Sequence, residues 1–212
     1  MSPTRSLTIP LLIELAREIA LKGERTLLGV TGAPGAGKST VTTAIVSALG
    51  PELAVIAPMD GFHMQNSKLQ ELKRRDRKGA PDTFEVAAFV DLLARIKNQS
   101  EEIVLAPNFD RTIDAPVEGA VSIRRDVPLV ITEGNYLLHP HGGWERVAPL
   151  LSESWFVLLD EQIRHDRLIK RHMSFGMSFE EATAWTLGSD EDNARGVRDD
   201  VLRADLVITL TQ

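Results

Sequence analysis

Short apolar runs alternate along this chain with segments whose apolar positions recur every three or four residues. The apolar runs are rich in Val, Ile and Leu and lack polar alternation, which is typical of strands buried on both faces of a sheet. They predict five core strands, at residues 26–31, 53–58, 128–132, 155–159 and 206–210, and one further strand at 103–105. Strands that alternate with helices indicate an α/β fold with a mostly parallel sheet between helical layers.

The periodic segments predict helices between these strands. An N-terminal amphipathic helix has its apolar positions at Leu11, Leu12, Leu15 and Ile19. A helix at 39–49 follows the first strand, and another begins near Asp82, where Asp82 and Glu85 form a capping-box pattern. The core face of that last helix is predicted at Val86, Phe89, Val90, Leu93 and Ile96.

Composition limits the function. The 212 residues are 43% hydrophobic and 25% charged, so we expect one domain over residues 1–212, with an insertion at about 61–126 and a lid at about 163–178. The net charge of −6 argues against nucleic-acid binding, and no apolar run is long enough to span a membrane. The absence of cysteine excludes disulfides and catalytic thiols and fits a cytoplasmic location.

A phosphate-binding loop carries the strongest chemical signal. Residues 32–39 match the pattern G-x-x-x-x-G-K-[ST] between a predicted strand and a predicted helix. Such a loop directs backbone N–H groups and a helix N-terminus at phosphate oxygens, while its lysine reaches the β and γ phosphates. The residues expected to bind ATP here are Gly32, Ala33, Pro34, Gly35, Ala36, Gly37, Lys38, Ser39 and Thr40.

Two carboxylates follow predicted strands, at the edge of the sheet where such folds bind ligands. Asp60 comes just after the strand at 53–58, and we expect it to act with Lys38 in catalysis as the base for an acceptor hydroxyl. Glu133 ends the run at 128–132, and we expect it to hold Mg²⁺ together with the Ser39 hydroxyl.

Arginines at helical spacing predict a cationic lid. Arg164, Arg167 and Arg171 fall three and four residues apart and so share one helical face. Guanidinium groups suit a triphosphate, and we expect Arg167 and Arg171 to bind ATP. Gly176 offers a hinge after this helix, and Ser178 with Glu181 forms another capping-box pattern.

Weaker signals remain open. His139 and His141 make a His-x-His pair, for which an ordinary loop is the better interpretation than a metal site. The basic run at 73–78 suits either a phosphorylated acceptor or a solvated helix face. His63 lies three residues after Asp60 and is therefore a candidate for acceptor binding.

In combination these segments resemble the P-loop kinase family that contains uridine kinases, phosphoribulokinases and bacterial pantothenate kinases. The resemblance is carried, in order, by residues 32–39, Met-Asp-Gly-Phe-His at 59–63, 77–84, Pro-Asn-Phe-Asp-Arg at 107–111, Thr-Glu-Gly-Asn-Tyr at 132–136 and 164–172. It implies a three-layer P-loop nucleoside triphosphate hydrolase fold with a five-stranded parallel sheet, a lid and an acceptor-binding insertion. It also implies that Asp60 activates the acceptor and that Asp82, Asp110 and Arg111 contact it.

The resemblance leaves the acceptor open. Uridine kinases carry Asp-Ser-Phe-Tyr where this chain has Asp-Gly-Phe-His at 60–63, and the chain looks most like a compact bacterial group labelled nucleoside/nucleotide-kinase-like or fructose-transport-associated. We expect a kinase that uses ATP and Mg²⁺ to phosphorylate a sugar or a pantothenate-like compound. The alternatives are a uridine- or cytidine-type nucleoside kinase and a nucleotide-dependent regulatory module. The expected partner is a small molecule, with neither nucleic acid nor membrane, and a homodimer is left open.

Overall fold

The computed structural model describes residues 4–211 and contains a six-stranded parallel sheet. Its strands are β1 (Thr4–Leu7), β2 (Thr26–Thr31), β3 (Ala54–Pro58), β6 (Leu129–Gly134), β7 (Glu153–Leu158) and β8 (Leu206–Leu210). They lie in the order β1-β8-β7-β2-β6-β3. A separate antiparallel hairpin is formed by β4 (Ile103–Asp110) and β5 (Ala115–Arg124).

Seven α-helices accompany the strands in the described part of the chain. They are α1 (Ile9–Ala20), α2 (Lys38–Leu49), α3 (Asn66–Glu71), α4 (Val86–Asn98), α5 (Glu161–Ser174), α6 (Phe179–Trp185) and α7 (Glu191–Gly196). A π-helical turn at Thr186–Asp190 joins α6 to α7. None of the helices found within residues 4–211 combines the length and apolarity that crossing a bilayer requires.

Both faces of the sheet are buried, because successive side chains of a strand point to opposite faces. On β2, Leu27 packs in a cluster with α4 residues such as Phe89, whereas Leu28 and Val30 pack in a second cluster with Ile45 of α2. The sheet therefore lies between two helical layers, as the continuous apolar runs predict.

The sheet has one strand more than predicted. β1 pairs in parallel with β8 at the edge, from Thr4 opposite Val207 to Leu7 opposite Leu210. Its residues are mostly exposed, so the strand carries no apolar signal that could be read from sequence. The five predicted core strands are confirmed to within two residues at each end.

The helical faces differ from the prediction in detail. On α1, Leu11 is 52% exposed, and the buried positions are Leu12, Ala16, Ile19 and Ala20. The capping-box prediction at Asp82 is wrong: α4 begins at Val86, so Glu85 is itself the N-cap residue, and its side chain pairs with Lys68 at 2.6 Å and makes no capping hydrogen bond. The predicted core face of α4 is otherwise confirmed, with Val86 only partly buried.

The insertion is fixed to the sheet by a close backbone approach at Gly61. This residue lies in the 3₁₀ turn Met59–Phe62 that follows β3, directly beneath the hairpin. A Cβ atom built on Gly61 would lie 2.4 Å from the carbonyl oxygen of Pro107 in β4. Only glycine fits that contact, and so the Asp60–Gly61 pair is more than a turn signal.

We predict that Gly61→Ala lowers the free energy of unfolding by about 1–3 kcal/mol, since the hairpin backbone must move to admit the methyl group. Chemical denaturation of the purified protein measures this change. Gly196→Ala is the matched control, because a Cβ at Gly196 meets nothing within 4 Å. Equal stability of the two variants would contradict the close approach.

Candidate active site

The phosphate-binding loop connects β2 to α2 and is contacted by helix α5. Gly35 and Gly37 have left-handed φ values of +79° and +98°, which glycine adopts without strain. A Cβ on Gly35 would also lie 2.8 Å from the Cγ atom of Leu168 in α5. Helix α5, the predicted lid, therefore packs directly on the loop, and α2 begins at Lys38 with its N-terminus toward the loop.

Lys38 is folded back into this loop. Its ammonium group donates to the carbonyl oxygens of Gly32 and Ala33, both at 3.0 Å, and to Oδ1 of Asn135 at 2.7 Å. The side chain is only 8% exposed, and this burial lowers the pKa of Lys38 to about 8, against the opposing charges of Glu133 and Asp60. All three N–H donors of the ammonium group are thus directed at oxygen atoms of the loop and of Asn135.

Glu133 and Ser39 offer oxygen ligands beside that lysine. Glu133 lies near the end of β6, and Ser39 Oγ donates to its two carboxylate oxygens at 2.9 and 3.0 Å. Burial raises the pKa of Glu133, while the charge of Lys38 opposes that rise. Carboxylate and hydroxyl oxygens are the hard ligands that Mg²⁺ prefers, so this pair fits the ion that a triphosphate brings.

Asp60 lies opposite these residues, in the turn after β3. Its carboxylate accepts a hydrogen bond from Arg111 at 3.1 Å, and its backbone oxygen lies 2.8 Å from Nδ1 of His63. Burial lowers the pKa of His63, so the imidazole is neutral at physiological pH. The carboxylate faces the same cavity as Lys38 and Glu133.

That cavity has a volume of about 550 Å³ and extends from the phosphate-binding loop to the hairpin. At the loop end it is lined by Pro34, Gly35, Lys38, Ser39 and Glu133, with Arg171 from the lid. At the other end it is lined by aromatic and charged side chains. His63 forms the centre of the aromatic wall, with ring centroids 4.1 Å from Phe84 and 4.9 Å from Phe109.

The lid arginines occupy three different environments. Arg171 lines the cavity, and burial lowers its pKa. Arg167 is exposed near the loop, where a Cβ on Gly37 would lie 3.3 Å from its Nη1 atom. Arg164 is only 3% exposed and is paired with Glu191. The prediction that all three share an open cationic face is therefore wrong for Arg164, because α5 buries it against the segment that follows the lid.

The second capping-box prediction is confirmed. Ser178 and Glu181 exchange side-chain and backbone hydrogen bonds at the start of α6. Gly176 has a φ of +96° between α5 and α6, as expected at a sharp change of direction.

Several predicted site residues do not line the cavity: Gly32, Ala33, Ala36 and Gly37 of the loop, Arg167, and the three residues Asp82, Asp110 and Thr40. Asp82 accepts a bidentate pair of hydrogen bonds from Arg77, and Asp110 is exposed and accepts from the backbone N–H of Thr112. The side chains of Asp82 and Asp110 are thus engaged by neighbours in sequence, and neither lines the cavity that Asp60 faces. Thr40 is exposed in the first turn of α2, next to Ser39.

The structure adds residues that the sequence did not single out. Asn135 accepts a hydrogen bond from Lys38, and Asp114 and Asp190 line the cavity beside Lys78 of the basic run at 73–78, for which the sequence left two interpretations open. Asn135 could have been found from its position just after a buried strand. Asp114 and Asp190 carry no such signal, because they reach the cavity from the hairpin tip and from the π-helical turn.

Comparison with known proteins gives consistent matches. The model of the "Phosphoribulokinase / Uridine kinase family" matches residues 27–211. "Uncharacterized protein YggC" of Escherichia coli is 36% identical over 192 residues, which cover 89% of this chain and 79% of that protein. "Putative uridine kinase C227.14" of Schizosaccharomyces pombe is 30% identical over 203 residues, covering 91% and 86%.

Among solved structures, one described as a "putative fructose transport system kinase from Silicibacter sp. TM1040" superposes with a TM-score of 0.82 at 32% identity. The match covers 95% of this chain and 99% of the Silicibacter chain. The P-loop kinase fold expected from the sequence is confirmed, with six strands in the sheet instead of five.

The buried ammonium group predicts a pH dependence of nucleotide affinity. Because the pKa of Lys38 is lowered to about 8, the free protein loses this charge as pH rises above that value. A bound triphosphate stabilises the charged form, so the dissociation constant should be flat below the lowered pKa and rise above it by at most about tenfold per pH unit. Calorimetric titration with a nonhydrolysable ATP analogue measures this dissociation constant at each pH. The same titrations should show proton uptake on binding at alkaline pH.

Lys38→Met is the matched variant for this experiment, since it replaces the ammonium by an apolar group of similar length. It should bind the analogue weakly and without the alkaline loss of affinity. A wild-type affinity that stays constant up to pH 9.5, about 1.5 units above the lowered pKa, would contradict the assignment.

Proposed function

We propose, because this chain belongs to the phosphoribulokinase / uridine kinase family, that it transfers the γ-phosphoryl group of ATP to a hydroxyl group of a small metabolite. The observation that carries the proposal is the position of Asp60. Its carboxylate lines one cavity together with Lys38, Ser39 and Glu133, so a candidate base and the phosphate-binding loop face the same space.

The donor half of the site binds and orients the triphosphate. The loop from Gly32 to Gly37 supplies backbone donors, and Lys38 leaves its carbonyl partners for the β and γ phosphates. Arg171 neutralises charge from the lid, and Arg167 binds nucleotide at the outer edge of the loop. Mg²⁺, when held by Ser39 and Glu133, would offset negative charge on the phosphate oxygens.

The acceptor half of the site supplies the base. The oxygen of the acceptor hydroxyl forms a bond to the γ phosphorus, and Asp60 accepts the proton that this hydroxyl loses. The bond from that phosphorus to the β,γ-bridging oxygen breaks, and ADP leaves with the electron pair. Arg111 keeps the carboxylate of Asp60 oriented, and His63 contributes a neutral wall beside it.

For the acceptor we propose a sugar such as fructose or a pantothenate-like compound. The Silicibacter structure, described as a "putative fructose transport system kinase", supports a sugar. A uridine- or cytidine-type nucleoside is the second candidate, supported by the name of the Schizosaccharomyces pombe relative and by the aromatic wall at His63. Contacts of Asp82 and Asp110 with the acceptor stay sequence-based predictions, as do a cytoplasmic location and a homodimer.

An acceptor panel tests the proposal. ADP release from Mg-ATP is measured with fructose, other sugars, glycerate, pantothenate, uridine and cytidine, and at least one compound should stimulate it. Tight nucleotide binding with no stimulation by any acceptor would favour a regulatory module over a kinase.

Asp60→Asn tests the proposed base. It should lower turnover about 100-fold or more while leaving ATP affinity near normal, since the amide cannot accept the hydroxyl proton. Asp76→Asn removes an exposed carboxylate outside the cavity and is the matched control. Full activity of Asp60→Asn with an accepted substrate would remove Asp60 from the mechanism.

A further inference from the structure

The far end of the acceptor cavity holds a charge cluster that phosphoryl transfer itself does not use. It consists of Arg75 and Lys78, which precede the 3₁₀ turn Pro81–Thr83, and Asp114 at the tip of the β4–β5 hairpin. Lys78 Nζ donates to the Oδ1 atom and the backbone oxygen of Asp114, both at 2.8 Å, and Arg75 donates to Oδ2 at 2.9 Å. We name these three residues the far cluster.

The far cluster is incompletely neutralised. Two cations share one carboxylate, and the remaining polar neighbour, Asn66, is neutral and bonds to both Lys78 and Asp114. The neighbouring basic residues Arg74 and Arg77 do not line the cavity and are paired with Asp82. One positive charge therefore stays unmatched at a wall of the cavity, where burial already lowers the pKa of Lys78.

An aromatic surface joins the far cluster to the proposed base. Lys78 Nζ lies 4.9 Å from the ring centroid of Phe109, whose ring contacts His63, and His63 is hydrogen-bonded to the backbone oxygen of Asp60. Asp60, His63, Phe109 and Lys78 thus follow one another along a single cavity wall. A molecule with its hydroxyl at Asp60 would lay its carbon skeleton on these rings and direct its other end at the far cluster.

We propose that the acceptor carries an anionic group, a carboxylate or a phosphate, which Lys78 and Arg75 bind while its hydroxyl lies at Asp60. The carboxylate of Asp114 satisfies part of the same donor set when no acceptor is bound. Oxyanions accept charge-assisted hydrogen bonds from lysine and arginine, whereas a neutral hydroxyl would leave the extra cation unmatched. This inference rests on the proposed kinase function and narrows its substrate class.

Matched acceptor pairs test the preference for an anion. Wild-type ADP release is compared for glycerate with glycerol, gluconate with glucose, pantothenate with pantothenyl alcohol, and fructose 6-phosphate with fructose. In at least one pair the anionic member should have a kcat/KM about tenfold or more above its neutral partner. The first three pairs report a carboxylate and the last a phosphate. A general preference for the neutral members would overturn the inference and leave the kinase function intact.

Substitutions in the far cluster should move acceptor binding in opposite directions. Lys78→Gln and Arg75→Gln should raise the KM of the anionic acceptor about 10- to 100-fold, with the KM of ATP unchanged, and Lys78→Arg should restore much of the loss. Asp114→Asn should lower that KM, because it removes the competing negative charge, and asparagine tolerates the positive φ of 51° at this position.

Lys73→Gln is the control, since Lys73 belongs to the same basic run but is exposed outside the cavity. Unfolding curves establish that each variant is folded. An equal effect of Lys78→Gln and Lys73→Gln on the KM of the acceptor would overturn the inference.

If no compound stimulates ADP release, the same panel is scored by thermal stabilisation of the protein with Mg²⁺ and a nonhydrolysable ATP analogue. Stabilisation by an anion that Lys78→Gln abolishes would support the inference while the proposed kinase function fails. Absence of stabilisation by every anionic compound would overturn the inference.

Discussion

The pairing register of three parallel strands brings the proposed chemistry together. Glu133 of β6 lies opposite Val30 of β2 and opposite Pro58 of β3. The phosphate-binding loop begins at Gly32, two residues after Val30, and Asp60 comes two residues after Pro58, the last residue of β3. The carboxylate thus lies between the two ends. Because side chains alternate along a strand, a slip of one residue would turn Glu133 into the core and separate it from Ser39.

The hairpin and helix α5, which form other sides of the cavity, are positioned by close backbone contacts. Gly61 allows the hairpin backbone to lie against the turn that carries Asp60, and Gly35 allows the lid helix to lie on the loop. Both contacts exclude a side chain at the glycine. The β4–β5 hairpin and helix α5 are therefore positioned against the turn that carries Asp60 and against the phosphate-binding loop by two glycines.

Charges around the cavity are mostly held by specific partners. Arg111 is paired with Asp60, Arg164 with Glu191, and His172 with Asp190 at 2.7 Å. The Arg164–Glu191 pair joins α5 to α7, and the His172–Asp190 pair joins α5 to the π-helical turn, while Arg171 of the same helix lines the cavity. Lys38 and the far cluster differ, because their cations are partly buried with incomplete neutralisation, which suits an anionic ligand.

The sequence by itself determined the five core strands, the phosphate-binding loop, and the placement of Asp60 and Glu133 after two of those strands. These features are local: apolar runs mark buried strands, glycine spacing marks the loop, and parallel strands end at one edge of the sheet.

Only the tertiary structure decided which charged side chains face the cavity. Arg164 and Arg171 share a helical face, yet one is buried in an ion pair and the other lines the site. Asp82 is held by arginines outside the cavity, whereas Asp114 enters it from the hairpin tip. The pairs Arg164–Glu191 and Lys78–Asp114 join residues distant in sequence, and the exposed edge strand β1 likewise depends on its contact with β8, so neither leaves a periodic pattern along the chain.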